Sequence, residues 1–255
     1  MHCRRCGVQV SVTAGTIFER TRTPLRTWFA AIWFVVSQKD GASALGLKRV
    51  LGFGSYQTAW TWLHKLRKAM VRPGRDRLSG RIEVDETYVG GTEVGGKRGR
   101  GSTRKEIVVI GVEVLDPKGF GRIRMRRVED VSGASLKPFV SSVAELGSEI
   151  LTDGWRGYNG LSKLGYKHKR VVQSASGDPA HVSMPGVHRV ASLLKRWLMS
   201  THQGSASAKH LDYYLDEYTF RFNRRTSRSR GLLFYRLIQQ ATHTTPLPYR
   251  QIVDR

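Results

Sequence analysis

Asp85 and Asp153 are the residues whose type and setting could do chemistry. Asp85 lies in Arg81-Ile-Glu-Val-Asp-Glu-Thr-Tyr-Val89, which alternates as a strand, and Asp153 closes the short strand Glu149-Ile-Leu-Thr-Asp153. Carboxylates at strand ends, aimed at one edge of a sheet, can hold Mg²⁺ between protein and phosphate oxygens. Two such ions ~3.5–4 Å apart can activate an attacking oxygen and stabilise a leaving one, which is the chemistry of phosphoryl transfer. Hard oxygen ligands are needed there, so aspartate serves and lysine cannot. Taken singly, either aspartate is equally explained as a strand cap or the start of a turn, and Asp153-Gly154 is a common turn dipeptide. Two other acids compete with them. Glu86 follows Asp85 and in a strand points to the opposite face, which makes it a poor co-ligand. Glu217 sits on an amphipathic helix with Tyr214 and Tyr218, where a salt bridge to Arg221 one turn along is the preferred account, and it is the first fallback for a third metal ligand.

The chain has two cysteines, Cys3 and Cys6, in the arrangement Cys3-Arg-Arg-Cys-Gly7. That spacing suits one knuckle of a zinc site, but a structural site needs four ligands and His2 is too close to Cys3 to supply another. Zn²⁺ is expected to bind weakly or not at all. Nothing suggests a disulfide framework, which fits a reducing cytoplasm. The phosphate-loop pattern Gly-x-x-x-x-Gly-Lys-[Ser/Thr] does not occur, so ATP dependence is not indicated. Neither Ser-His-Asp nor Cys-His catalysis has organised support.

Several elements must position the two aspartates. Leu25 to Ser37 places Trp28, Phe29, Ile32, Trp33 and Val36 on one helix face. Two further helices are expected over 43–51 and 55–70, separated by Gly52-Phe-Gly54, with Ser55 as N-cap. Short helices across a Gly turn, the second ending in Lys65, Arg67 and Lys68, suggest a helix-turn-helix. An ordinary helical hairpin with Trp60, Leu63 and Leu66 as core fits the same pattern. After the polar linker Arg72 to Gly80 the period changes. Strands are expected over 81–89, 106–115 and 121–128, with a turn at Asp116-Pro-Lys-Gly119; then a helix over 135–146, strands over 149–153 and 166–172, and helices from Val187 onward, the last over 231–242. The order predicts a mixed α/β sheet of ribonuclease H-like type.

The formal net charge of +23 and pI near 10.7 favour a polyanionic partner, because so much like charge otherwise repels itself. Nucleic acid fits best, although a histone-like binder without chemistry would carry the same charge. A membrane surface fits worse, since the basic residues do not gather on one amphipathic helix. No apolar run approaches ~20 residues and no signal-peptide pattern opens the chain, so a cytoplasmic, nucleoid-associated protein is expected. The Gly90 to Lys105 loop carries Lys97, Arg98, Arg100, Arg104 and Lys105 and is expected to be an exposed basic loop that contacts DNA.

Four ordered segments carry a resemblance: Val84-Asp-Glu-Thr-Tyr-Val-Gly-Gly91, Thr152-Asp-Gly-Trp-Arg-Gly-Tyr158, Ser192-Leu-Leu-Lys-Arg196 and Tyr218-Thr-Phe-Arg-Phe-Asn-Arg-Arg225. With Val12-Thr-Ala-Gly-Thr-Ile-Phe18 and Ser55-Tyr-Gln-Thr-Ala-Trp60, they look like the motif blocks of bacterial insertion-sequence transposases of the DDE superfamily, in the zinc-ribbon, ISXO-type branch. The resemblance covers nearly the whole chain. It implies a ribonuclease H-like domain with two aspartates and a third metal-binding residue on a later helix. Asp85 and Asp153 match the first two positions. Setting Ser192 to Arg196 in register with the family puts His188 at the third, where relatives carry Glu, Asn or His.

That register makes the chain an Asp-Asp-His variant. Neutral imidazole is a softer ligand than carboxylate and adds no negative charge, so such a site should hold its second ion more weakly and favour Mn²⁺ over Mg²⁺. Lys195 lies seven residues beyond His188 on the same helix face and, with Arg196, is implied as a DNA phosphate contact. Val187, Val190, Ala191, Leu194 and Leu198 form the helix's apolar stripe. In the family the second cysteine pair lies upstream of the first.

The domains implied are a partial ribbon over 1–20, a helix-turn-helix-like region over 21–75, a catalytic domain over 76–245 and a tail over 246–255. The activity implied is metal-dependent cleavage of DNA at element ends and strand transfer into target DNA, by a homodimer or larger multimer on double-stranded DNA. The alternatives are a non-catalytic DNA-binding protein or inactive remnant, and a ribonuclease H-like nuclease or resolvase that releases products unjoined.

Overall fold

The apolar periodicities carry through into helices at one end of the chain and strands in the middle. The computed structural model describes residues 4–7, 11–72, 74–90, 105–115, 117, 119–171, 183–202 and 208–254. They form two units, one of residues 1–74 with 224–255, the other of 75–223.

The first unit is helical. It begins with α1 (Leu25–Ser37), α2 (Ala44–Leu51) and α3 (Tyr56–Ala69). Ser43 caps α2 by accepting the Gly46 N–H at 3.0 Å, and Ser55 caps α3 by accepting the Gln57 N–H at 3.1 Å. Gly52 ends α2 at φ 66°, a left-handed conformation that glycine adopts without a Cβ clash. The unit's core is aromatic. Trp28 of α1 stacks on Trp62 of α3 with ring centroids 3.5 Å apart, and Phe18 and Phe53 meet this pair edge-on.

The second unit is a mixed α/β sheet. Strands β1 (Arg81–Val89), β2 (Glu106–Val114) and β3 (Phe120–Val128) form an antiparallel meander. After α4 (Gly133–Val143), strands β4 (Glu149–Asp153) and β5 (Lys167–Val171) add in parallel on the other side of β1. The strand order is β3-β2-β1-β4-β5. Two helices follow, α5 (Pro185–His202) and α6 (Leu211–Asn223).

Alternation along the strands splits the core in two. Ile82, Val84 and Val109 pack with Leu136, Phe139 and Val140 of α4 on one face. Val108, Ile110, Ile123 and Met125 pack with Val187, Val190 and Leu194 of α5 and with Tyr214 and Tyr218 of α6 on the other. Asn223 fastens the end of α6 to the edge strand, accepting the Ile123 N–H at 2.7 Å and donating to its carbonyl at 3.2 Å.

The chain then returns to the helical unit as α7 (Arg230–His243) and α8 (Tyr249–Val253). Residues 224–255 therefore belong to the helical unit, where α7 packs on α1 and α3. Phe29 and Trp33 differ from expectation. The buried face of α1 is Trp28, Ala31, Ile32, Val35 and Val36, while Phe29 and Trp33 turn edge-on to Phe234 of α7. Among the described residues, no helix is long and apolar enough to cross a membrane.

Candidate metal centre

The parallel pairing of β1 with β4 ends at Val84–Thr152, while β1 continues beside β2 to Val89 and β4 continues beside β5 to Asp153. The sheet therefore opens a notch at the carboxyl ends of its two central parallel strands, a common ligand position in open α/β sheets. Asp85 and Asp153 are the next residues on each strand, on the face covered by α5. Both are half-buried.

Three carboxylates meet at this notch. Asp85, Glu86 and Asp153 each offer an oxygen, and these oxygens lie within 4.8 Å of one another. Glu86 is the correction to the sequence reading. It does point to the opposite face, where its Oε2 accepts the Tyr158 hydroxyl at 3.0 Å. Beyond Val84, however, β4 no longer stands alongside β1, so nothing separates the two faces and the longer glutamate side chain reaches round. The Asp85 carboxylate accepts the Glu86 N–H at 2.8 Å. Asp153 does start a turn as well as face the cluster, since its Oδ1 accepts the Trp155 N–H at 3.0 Å.

The loop after β4 is fixed from behind. Trp155 Nε1 donates to the Val131 carbonyl at 2.7 Å, and a Cβ on Gly157 would come within 2.9 Å of that indole nitrogen. Tyr158, fully buried, hangs beneath the cluster. Burial raises its pKa, and the nearby charges of Glu86 and Asp85 raise it further, so the phenol stays a neutral donor to Glu86.

A second fastening sits on the α5 face. Glu83, two residues before Asp85 and on the same face, is 2% exposed, and its Oε2 accepts the Val187 N–H at 2.8 Å. Burial raises its pKa, partly opposed by the backbone N–H groups of Val187 and Gly186. A Cβ on Gly186 would lie 2.9 Å from that oxygen, so glycine is what lets the carboxylate approach the helix start. His188 follows on the first turn of α5, half-buried and outside the 4.8 Å group of acids.

The remaining expected site residues fall as follows. Lys195 and Arg196 are exposed on α5. Partial desolvation lowers the Lys195 pKa, and the positive charge of nearby Lys105 lowers it further. Lys97, Arg98, Arg100 and Cys3 lie outside the described residues, and Cys6 is exposed. Lys65 is half-buried, and Arg67 at 2% exposure is not on a surface that DNA could reach. Arg67 lies four residues after Leu63 and three before Met70, so it occupies the apolar stripe of α3, which includes Leu66. Glu217 makes the expected pair with Arg221, at 2.9 Å to Nε and 2.8 Å to the terminal nitrogen.

Tyr158 and Glu83 were missed in the sequence. Tyr158 closes the motif block that begins at Thr152, which was the available signal. Glu83 alternates with Ile82 and Val84 as a solvent-facing residue would, and no local pattern says that a helix N-terminus covers it.

Known proteins resemble this chain over most of its length. The ISXO2-like transposase domain family matches residues 77–223, more than half of the chain. A Halobacterium salinarum protein, described as an uncharacterized protein in transposable element ISH50, is 25% identical over 233 residues, covering 86% of this chain and 76% of that one. Among solved structures, the Mos1 transposase paired-end complex with left transposon end aligns over 88% of this chain and 81% of that one, at 13% identity and a TM-score of 0.25. The family match coincides with the α/β unit, and so contains Asp85, Glu86, Asp153 and His188.

Proposed function

The chain belongs to the ISXO2-like transposase domain family of insertion-sequence transposases in the DDE superfamily, and from that premise we propose that it cuts and rejoins DNA using divalent metal ions held at the β1–β4 notch. The observation that carries this reading is the meeting of Asp85, Glu86 and Asp153 within 4.8 Å at a sheet edge. The donors suit Mg²⁺ or Mn²⁺, being hard, anionic and half-buried. Oxygens on one Mg²⁺ at ~2.0–2.1 Å lie within about 4 Å of each other, so small side-chain movements suffice.

Bound ions supply activation of the attacking oxygen and charge stabilisation at the leaving one. Asp85 and Asp153 would hold them, with Glu86 beside them, oriented by the Tyr158 hydroxyl. His188 would be the third ligand in the family register, carried on a helix whose first turn Glu83 fixes to β1. Lys195, Arg196 and Lys105 position DNA phosphates without reading sequence. Water attacks the phosphodiester at an element end and the bond from phosphorus to the 3′ oxygen breaks, freeing a 3′-hydroxyl. That hydroxyl then attacks a target phosphodiester and displaces its 3′ oxygen, joining the strands.

The strand order, three antiparallel strands followed by two parallel ones beside β1, supports a ribonuclease H-like core. The α2–α3 pair is the candidate helix-turn-helix for recognising element ends, helped by the partial ribbon with Cys3 and Cys6, and the basic loop with Lys97, Arg98 and Arg100 adds electrostatic contact with DNA. A homodimer or larger multimer would bring two ends together. The test is cleavage and strand transfer on DNA bearing the element's own ends, with Mg²⁺, Mn²⁺ or chelator, beside Asp85→Ala and His188→Ala. Joined products that require metal and Asp85 support the transposase reading, and a sharp fall without His188 supports the Asp-Asp-His site. Cut but unjoined products point to a nuclease, and salt-sensitive binding without cutting points to a DNA-binding remnant.

A further inference from the structure

Behind the metal centre, on the face of the sheet that α4 covers, two polar side chains meet where the strand pattern places hydrocarbon. Thr152 is the last residue of β4 to pair with β1, opposite Val84, and it is fully buried. Val84 and Ile150, which precedes Thr152 on the same face, both belong to the apolar cluster with Leu136 and Phe139. On β5, Lys167, Lys169 and Arg170 are exposed, whereas His168 is half-buried. Its Nε2 lies 2.8 Å from the Thr152 Oγ.

The protons give this pair a direction. The Thr152 hydroxyl has one hydrogen, which it donates to the Asp153 carbonyl at 2.9 Å. Thr152 Oγ is therefore the acceptor for His168, and the ring carries its proton on Nε2. Burial and the charge of Arg170 lower the His168 pKa, which favours the neutral ring. A chain of donors thus runs from His168 through Thr152 to the backbone of Asp153. Tying the Thr152 side chain to the next carbonyl restricts both backbone angles of Asp153, and these set the direction in which its Cβ leaves the strand. The other end of the same residue is held where Oδ1 accepts the Trp155 N–H at 3.0 Å.

We propose that His168 is a positioning residue for the metal centre, holding Asp153 in the orientation that metal binding needs through the Thr152 hydroxyl. The place explains the need. After Thr152 the pairing of β4 with β1 ends, so that ladder no longer fixes Asp153. Burying a hydroxyl costs free energy unless it is hydrogen-bonded, and valine has the same shape without that demand. Threonine here serves the geometry of Asp153 and not the packing of the core. This inference rests on the metal-centre reading above.

The test uses the full chain, with the rise in Tm followed as Mn²⁺ is added and strand transfer measured on the same preparations. Thr152→Val should leave the metal-free Tm near wild type. It should nonetheless raise the Mn²⁺ concentration for half the rise by about 10-fold, as loss of a partner behind a metal ligand does. His168→Leu should weaken metal binding similarly, and His168→Gln, which keeps an N–H donor, should recover most of the affinity. The double variant Thr152→Val with His168→Leu should cost no more than Thr152→Val alone, because both break one chain. A long-range proton–nitrogen NMR spectrum should show the His168 proton on Nε2. Unchanged metal affinity in Thr152→Val and His168→Leu, with or without a lower Tm, would overturn the inference. So would losses that add in the double variant, or a ring unprotonated at Nε2. A wild-type chain with no Mn²⁺ response, or with one that survives Asp85→Asn, would overturn the metal-centre reading and this inference with it.

Discussion

Glu83 accepts the backbone N–H of Val187 at 2.8 Å, so the strand that carries Asp85 also holds the first turn of the helix that carries His188. Two residues on one face of a strand are ~6.8 Å apart, which puts this fastening one step from the metal centre. A carboxylate at a helix N-terminus is favoured by the exposed N–H groups, yet burial wins here and raises its pKa.

The sign of the linkage follows. With a raised folded pKa, the stability linked to Glu83 is fullest below the ordinary carboxylate value of about 4.3 and is lost as pH rises through the raised one. Glu83→Gln keeps an oxygen for the Val187 N–H and removes the titration. Urea unfolding should show the variant losing less stability than wild type as pH rises from about 4. A difference between the two that does not change with pH would refute this.

Gly186→Ala should destabilise the α/β unit by roughly 1–3 kcal/mol, as overpacking does. The new Cβ would lie 2.9 Å from the Glu83 carboxylate and 3.0 Å from the Phe120 ring. Metal-dependent cleavage should fall along with stability, because the start of α5 must shift. Retention of both in chemical denaturation and cleavage assays would show that the helix start is not held as described.

Asp85, Glu86 and Asp153 repel one another without a counter-ion. Mg²⁺ or Mn²⁺ should therefore raise the Tm, by an amount equivalent to about 2.7 kcal/mol at 100 times Kd. Asp85→Asn and Asp153→Asn should each abolish that rise while leaving the metal-free protein as stable as wild type or more so. An equal metal-induced rise in both variants would place the ion elsewhere.

Tyr158→Phe removes the hydroxyl that Glu86 accepts at 3.0 Å from a fully buried ring. A hydrogen bond to a charged group contributes about 1.5–3 kcal/mol, so a loss of that size is expected. The raised pKa predicts that the wild-type phenol does not ionise with the exposed tyrosines in an ultraviolet pH titration of the folded protein. A variant with wild-type stability and metal affinity would remove Tyr158 from the site.

The Glu113–Arg122 ion pair contributes stability that acid removes. Glu113 is 7% exposed and would be raised by burial, but hydrogen bonds from Arg122 at 2.7–3.2 Å and from the Ser79 N–H outweigh this and lower its pKa. A lowered folded pKa gives stability that is present above the ordinary carboxylate value and lost as pH falls through the lowered one. Glu113→Gln should be less stable than wild type at neutral pH and converge with it in acid. Parallel acid-unfolding curves for the two proteins would contradict this.

By itself the sequence determined what depends on neighbours along the chain. Ser55 caps α3, Gly52 ends α2, Glu217 reaches Arg221 one turn on, and Asp85 and Asp153 lie on strands. Each follows from periodicity or from a hydrogen bond within a few residues. The spacing of Leu63, Leu66, Arg67 and Met70 carries a signal for the burial of Arg67, although the basic end of α3 reads as a DNA contact.

Only the tertiary structure decided the rest. Glu86 joins the cluster because the β1–β4 ladder stops at Val84–Thr152, and a register is set by two distant strands, not by either alone. Glu83 is buried because a helix that begins about 100 residues later docks on it. Local patterns report what a residue prefers, and long-range packing decides which groups share the space where chemistry or binding can occur.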